Sequence, residues 1–118
     1  MKPSVAKTLS FIFLLTNIVS GVAFAGTVQN AKKAMNGGQY EYAYAQWKKV
    51  LDRNPRNLEA LEAMDRLQRI ARNLFEEALM CRVSEERRAK DLLRSVVLLS
   101  DPWSELNREA CTLLGEDL

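Results

Sequence analysis

The chain has 118 residues and a nearly balanced charge, 17 lysines and arginines against 15 aspartates and glutamates, with no histidine. That length bounds it to one small domain, and the charge balance leaves no electrostatic reason to bind nucleic acid or an anionic membrane face. The missing histidine removes the usual general base and the commonest metal ligand.

At the start of the chain, Lys2 and Lys7 flank the opening of a mostly apolar run, Leu9 to Val22. Ala23-Phe24-Ala25 then supplies the small-x-small pattern that a signal peptidase reads. Residues 1–25 are therefore expected to be a cleaved export signal, with an uncleaved anchor as the rival reading. The run falls short of the ~20 apolar residues of a comfortable bilayer span, so no stable membrane span is expected after cleavage. No cysteine follows it directly, so there is no residue to acylate. The expected mature domain is 26–118, and without Lys2 and Lys7 it carries 15 basic and 15 acidic residues. Its expected location is the periplasm, with the extracellular space as the alternative.

Five helices are predicted in the mature chain. The first covers about Val28 to Asn36 and ends at Gly37-Gly38, a pair suited to a left-handed cap and turn. The second runs from about Tyr40 to Arg53 and stops before Pro55, which restricts the preceding residue and has no N–H to donate. After Asn57, Ala60, Met64, Leu67, Ala71, Leu74, Ala78 and Cys81 recur at alternating steps of four and three, with no glycine or proline between them. That spacing predicts one unbroken helix to about Cys81. A fourth helix is expected to start at Ser84 as its cap, with Glu85 and Glu86 in the first turn and Ala89, Leu92, Leu93, Val96, Val97 and Leu99 apolar. The fifth is expected to have Pro102 in its first turn, to carry Trp103, Leu106, Ala110, Leu113 and Leu114, and to halt at Gly115. Trp47 and Trp103 both read as core residues.

Gly38, Tyr40, Ala43, Trp47, Leu51 and Pro55 fall at the spacing of the second helix of a tetratricopeptide (TPR) repeat, and the chain resembles that family over residues 38–55. A looser likeness covers residues 84–114, where Ala89 and Asp101-Pro102 mark a second such helix. The resemblance implies an all-α, right-handed superhelical stack of about five helices, with an elongated third helix that departs from the repeat pattern. Its last helix would cap the array. In such a stack the third and fifth helices would run side by side and parallel, bringing Cys81 near Cys111. Given export, a disulfide between them is expected, worth about 3 to 4 kcal/mol in the chain-entropy model.

No reaction centre is legible. There is no glycine-rich phosphate loop, the two cysteines are too far apart for a zinc or dithiol motif, and Glu76-Glu77 and Glu85-Glu86 diverge on their helices. The expectation is no enzyme, no catalytic residue, no cofactor and no metal. The resemblance instead implies a face for a protein or peptide partner, and its face positions fall on Lys32, Met35, Asn36, Glu62, Arg66 and Arg69. The expected function is a scaffold or assembly accessory of a cell-envelope complex. The alternative is a self-associating envelope protein, a homodimer through the long helix or the array ends.

Overall fold

A glycine with positive φ sets the first corner. In the computed structural model, which describes residues 25–116, helix α1 occupies residues 25–36 and gives way at Gly37-Gly38. Gly38 sits at φ 75°, a left-handed conformation that a side chain disfavours. Gln39 then donates its N–H to the Ala34 carbonyl at 2.8 Å, closing the turn. Four further helices follow: α2 (Tyr40–Arg53), α3 (Leu58–Cys81), α4 (Glu86–Leu99) and α5 (Glu105–Glu116). The domain is all-α, with five helices among the described residues and a long third one. The expected export signal, residues 1–25, lies outside the described residues except for Ala25, which is helical.

Helix α3 is the spine. Asn57 caps it by accepting the Ala60 N–H at 3.0 Å, and its 24 residues span about 36 Å. The N-terminal half packs with α1 and α2 around Trp47, Tyr44 and Val50, lined by Ala31, Ala34, Ala43, Ala60, Ala63 and Ala71. The alanines have little side chain to hold the backbones apart, so the indole fills the remaining space. The C-terminal half packs with α4 and α5 through Ala78, Leu93, Val96 and Ala110. Leu99 belongs to the first cluster, and Leu74 and Leu106 border both, so the two cores are joined.

The carbonyl end of α4 has neither a glycine cap nor a basic residue in its last turn, so side chains do that work. Gln68 Nε2 on α3 donates to the Leu99 carbonyl at 2.9 Å. Asn107 on α5, itself buried, donates from Nδ2 to the Val97 carbonyl and the Ser100 Oγ, both at 3.1 Å. Ser100 Oγ in turn donates to the Val96 carbonyl at 2.6 Å. Beside this cluster, Tyr44 OH on α2 donates to Asp101 Oδ1 at 2.7 Å, tying the first hairpin to the α4–α5 turn.

Several expectations are corrected. Ser84 is an exposed turn residue and not the cap of α4; that position belongs to Glu85, whose carboxylate pairs with Arg88 at 2.8 Å and leaves the backbone uncapped by a side chain. Pro102 and Trp103 lie in a turn ahead of α5, and Ser104 caps the helix by accepting the Asn107 N–H at 3.2 Å. Gly115 does not halt α5, which runs on to Glu116. Trp103 is 78% exposed rather than core; Lys48 lies over its ring at 5.9 Å and over the Tyr44 ring at 5.8 Å.

The expected disulfide is absent. Cys81 is a buried free thiol and Cys111 an exposed one. Ala110 takes the buried position facing α3 and α4, so the next residue, Cys111, is turned away by ~100°. Its Sγ–H approaches Asn107 Oδ1 at 3.5 Å, whereas Cys81 Sγ–H points back along its own helix to the Ala78 carbonyl at 3.7 Å.

Candidate functional site

Helices α1 and α3 leave a cleft between them of about 290 Å³. Lys32, Met35 and Asn36 reach it from the last turns of α1, and Glu59, Glu62 and Arg66 from the first turns of α3. The i, i+3, i+4 spacing on each helix is what aligns them. Five of the six residues named from the sequence meet here: Lys32, Met35, Asn36, Glu62 and Arg66. Arg69 does not. It lies against a neighbouring hollow with Gln68, Arg72 and Ser104, and pairs with Asp65 at 3.1 Å.

Charge in the cleft is arranged, not merely mixed. Lys32 Nζ and Glu59 Oε2 pair at 3.0 Å from α1 to α3, both half-exposed. Arg66 and Glu62 have no ion pair among the described residues. A planar guanidinium with no carboxylate attached is the group best suited to grip an incoming one in two places.

Trp47 belongs to the same cleft wall although it comes from α2. It is 2% exposed, and its Nε1–H has no acceptor among the described residues. A buried donor without a partner carries a desolvation cost of ~1–3 kcal/mol. Sequence reasoning placed Trp47 in the core and left it out of the site; its packing role hid its polar edge. Glu59 was also missed, although it precedes Glu62 by one helical turn and so shares its side of α3.

Two hollows of about 570 Å³ lie elsewhere. One, at the start of α2, is flanked by the Ser95 Oγ–H donating to Glu41 at 3.0 Å. The other is edged by Phe75 and Leu113, between α3 and α5. The second also carries Glu105, Arg108 and Glu109, but all three come from α5, whereas the α1–α3 cleft gathers its charged residues from two helices.

The glutamate pairs serve the surface. Glu77 and Glu85 both pair with Arg88, and Glu86 pairs with Lys90 at 3.2 Å. Among the described residues no helix is long and apolar enough to cross a membrane. Compared with family models, with curated proteins and with solved structures, the chain matches none.

Proposed function

We propose that this chain is an exported protein–protein interaction module of TPR-like design, a scaffold or assembly accessory of a cell-envelope complex acting in the periplasm. It binds a partner and performs no chemistry on it. The reading rests on the α1–α3 cleft, where Lys32, Asn36 and Arg66 converge as donors beside the apolar Met35. A short acidic segment or a chain-terminal carboxylate fits that set: Arg66 is unengaged, and Lys32 can exchange its half-exposed Glu59 for the ligand at little net loss.

A photo-reactive amino acid at Asn36 tests this in cells. The expected result is one recurring envelope complex crosslinked from position 36. The same probe at Asp52, an exposed residue of α2, should yield nothing. Arg66→Glu should abolish the crosslink with helicity unchanged. Equal yields from positions 36 and 52 would overturn the assignment. Retention of the protein in the cytosolic fraction would remove the envelope setting.

A further inference from the structure

Trp47 Nε1 is the only buried side-chain nitrogen or oxygen among the described residues that lacks a hydrogen-bond partner. In a native fold such a group asks for an explanation, because burying an N–H without an acceptor disfavours folding. Packing explains the ring and leaves its N–H unexplained. The buried side chains clustered with it are hydrocarbon apart from Met35 and Tyr44, and the Tyr44 hydroxyl is committed to Asp101. Polar side chains meet the ring at the α1–α3 cleft, whose wall it shares with Asn36, Glu62 and Arg66. Asn36 and Glu62 carry acceptors there, yet neither bonds the indole. Both are exposed and keep their contact with water.

The surroundings also decide which kind of oxygen would serve. Drawing a carboxylate into hydrocarbon costs far more than drawing in a neutral carbonyl. A carboxylate therefore stays at the surface with the exposed Lys32 and Arg66, and a neutral oxygen goes to the indole. An acidic peptide segment supplies both, a side-chain carboxylate and a main-chain carbonyl, within one residue.

Access depends on Met35. Nε1 is closed to solvent, and Met35, 8% exposed, belongs both to the cleft wall and to the Trp47 cluster. Methionine is unbranched, with three rotatable side-chain bonds, so it repacks more readily than a branched or aromatic residue. It lies in the last turn of α1, just before the Gly37-Gly38 turn. On the same wall the Lys32–Glu59 pair is half-exposed and costs little to part.

We infer that the Trp47 indole N–H is a ligand-binding donor of this cleft. Met35 turns aside, and the N–H takes a main-chain carbonyl of the partner segment whose acidic side chain Arg66 holds. The inference rests on the peptide-binding reading of the cleft and adds a neutral oxygen to the acid that the cleft takes.

Replacing Trp47 with 3-benzothienylalanine by stop-codon suppression tests it, since sulfur takes the place of the N–H and the shape is kept. The probe is the capped peptide Ac-Asp-Gly-Asp-Gly-NH2, whose only oxygens are side-chain carboxylates and amide carbonyls. Without peptide, the substituted protein should melt at the same temperature as the natural one or higher, because an unpaired donor has been removed. Its affinity for the peptide should be weaker by about fivefold or more. In the natural protein, the indole N–H resonance that the substitution abolishes should move downfield as peptide is added. The Met35 methyl and the Asn36 and Arg66 main-chain amides should move with it. A lower melting temperature for the substituted protein would mean that the N–H already has a partner inside the fold, and would overturn the inference. Equal peptide affinity with and without the N–H, or a Met35 methyl that stays put, would overturn it too; if the Asn36 and Arg66 amides still moved, the cleft reading would survive alone. No movement at Asn36, Arg66 or the indole would sink both.

Discussion

The two ends of α3 are packed by different means. Its N-terminal half is held by one large aromatic set among alanines: Trp47 fills a space left by Ala31, Ala34, Ala60 and Ala63. Its C-terminal half has no buried aromatic side chain, only Leu93, Val96, Ala78 and Ala110, and relies on a buried amide to finish the job. The first design concentrates energy in a single side chain. The second spreads it over aliphatic contacts and hydrogen bonds to α4's open carbonyl end. A mutation's cost should therefore depend on which half it strikes and on which kind of contact it removes.

Trp47→Ala should be the most damaging single change, costing about 3–5 kcal/mol, since the small neighbours cannot collapse into the space the ring leaves. Leu93→Ala, the counterpart in the other half, should cost about 2–4 kcal/mol, because Leu92 and Val97 border the gap and can shift. Denaturant midpoints for the two variants check the ranking. Equal losses would mean that the two halves are packed alike.

Asn107→Leu sharpens the contrast by keeping volume and deleting polarity. Both the Val97 carbonyl and the Ser100 hydroxyl lose their donor in a buried setting, and about 2 kcal/mol of stability should go with them. Hydrogen exchange at α5 should rise before exchange at α2, because the loss is confined to the C-terminal half. If both helices open together, the halves act as one cooperative unit.

How far these halves could be read in advance follows the same division. Trp47, Ala43 and Pro55 sit at positions where local sterics dictate the residue, so the α2 boundaries, Tyr40–Arg53, match the expected ones. The unbroken α3, Leu58–Cys81, followed from a regular apolar period with no breaker. The C-terminal half depends on contacts between residues distant in sequence. Ser84 looked like a cap because serine usually is one, yet the helix begins one residue later, with Glu85 at the cap position and no side chain bonding the backbone there. Nothing local marks Asn107 as the amide that finishes α4, or tells that Ala110 and not Cys111 faces inward. Of the candidate site, Lys32, Met35, Asn36, Glu62 and Arg66 were reachable through helical spacing. The unpartnered Trp47 indole was not, because an orphaned donor is defined by what surrounds it.

A smaller effect comes where the halves are stitched together, at Tyr44 and Asp101. Tyr44→Phe keeps the ring and removes one hydrogen bond of 2.7 Å to a carboxylate, so a loss of about 1–2 kcal/mol near neutral pH is expected. The pH dependence identifies the bond more surely than the loss does. Burial first, then the hydrogen bond to Asp101 and its charge, push the Tyr44 phenol well above the usual tyrosine range. A group with a raised folded-state pKa contributes its full stabilisation below the unfolded value, about 10 for tyrosine. Above that, the unfolded chain releases the phenolic proton while the folded chain keeps it, so stability falls as pH rises. The natural protein should lose more stability between about pH 9 and 11 than Tyr44→Phe does, and the two curves should converge in that window. Parallel curves would mean that the phenol titrates alike in both states, and that Asp101 does not hold the first hairpin to the second.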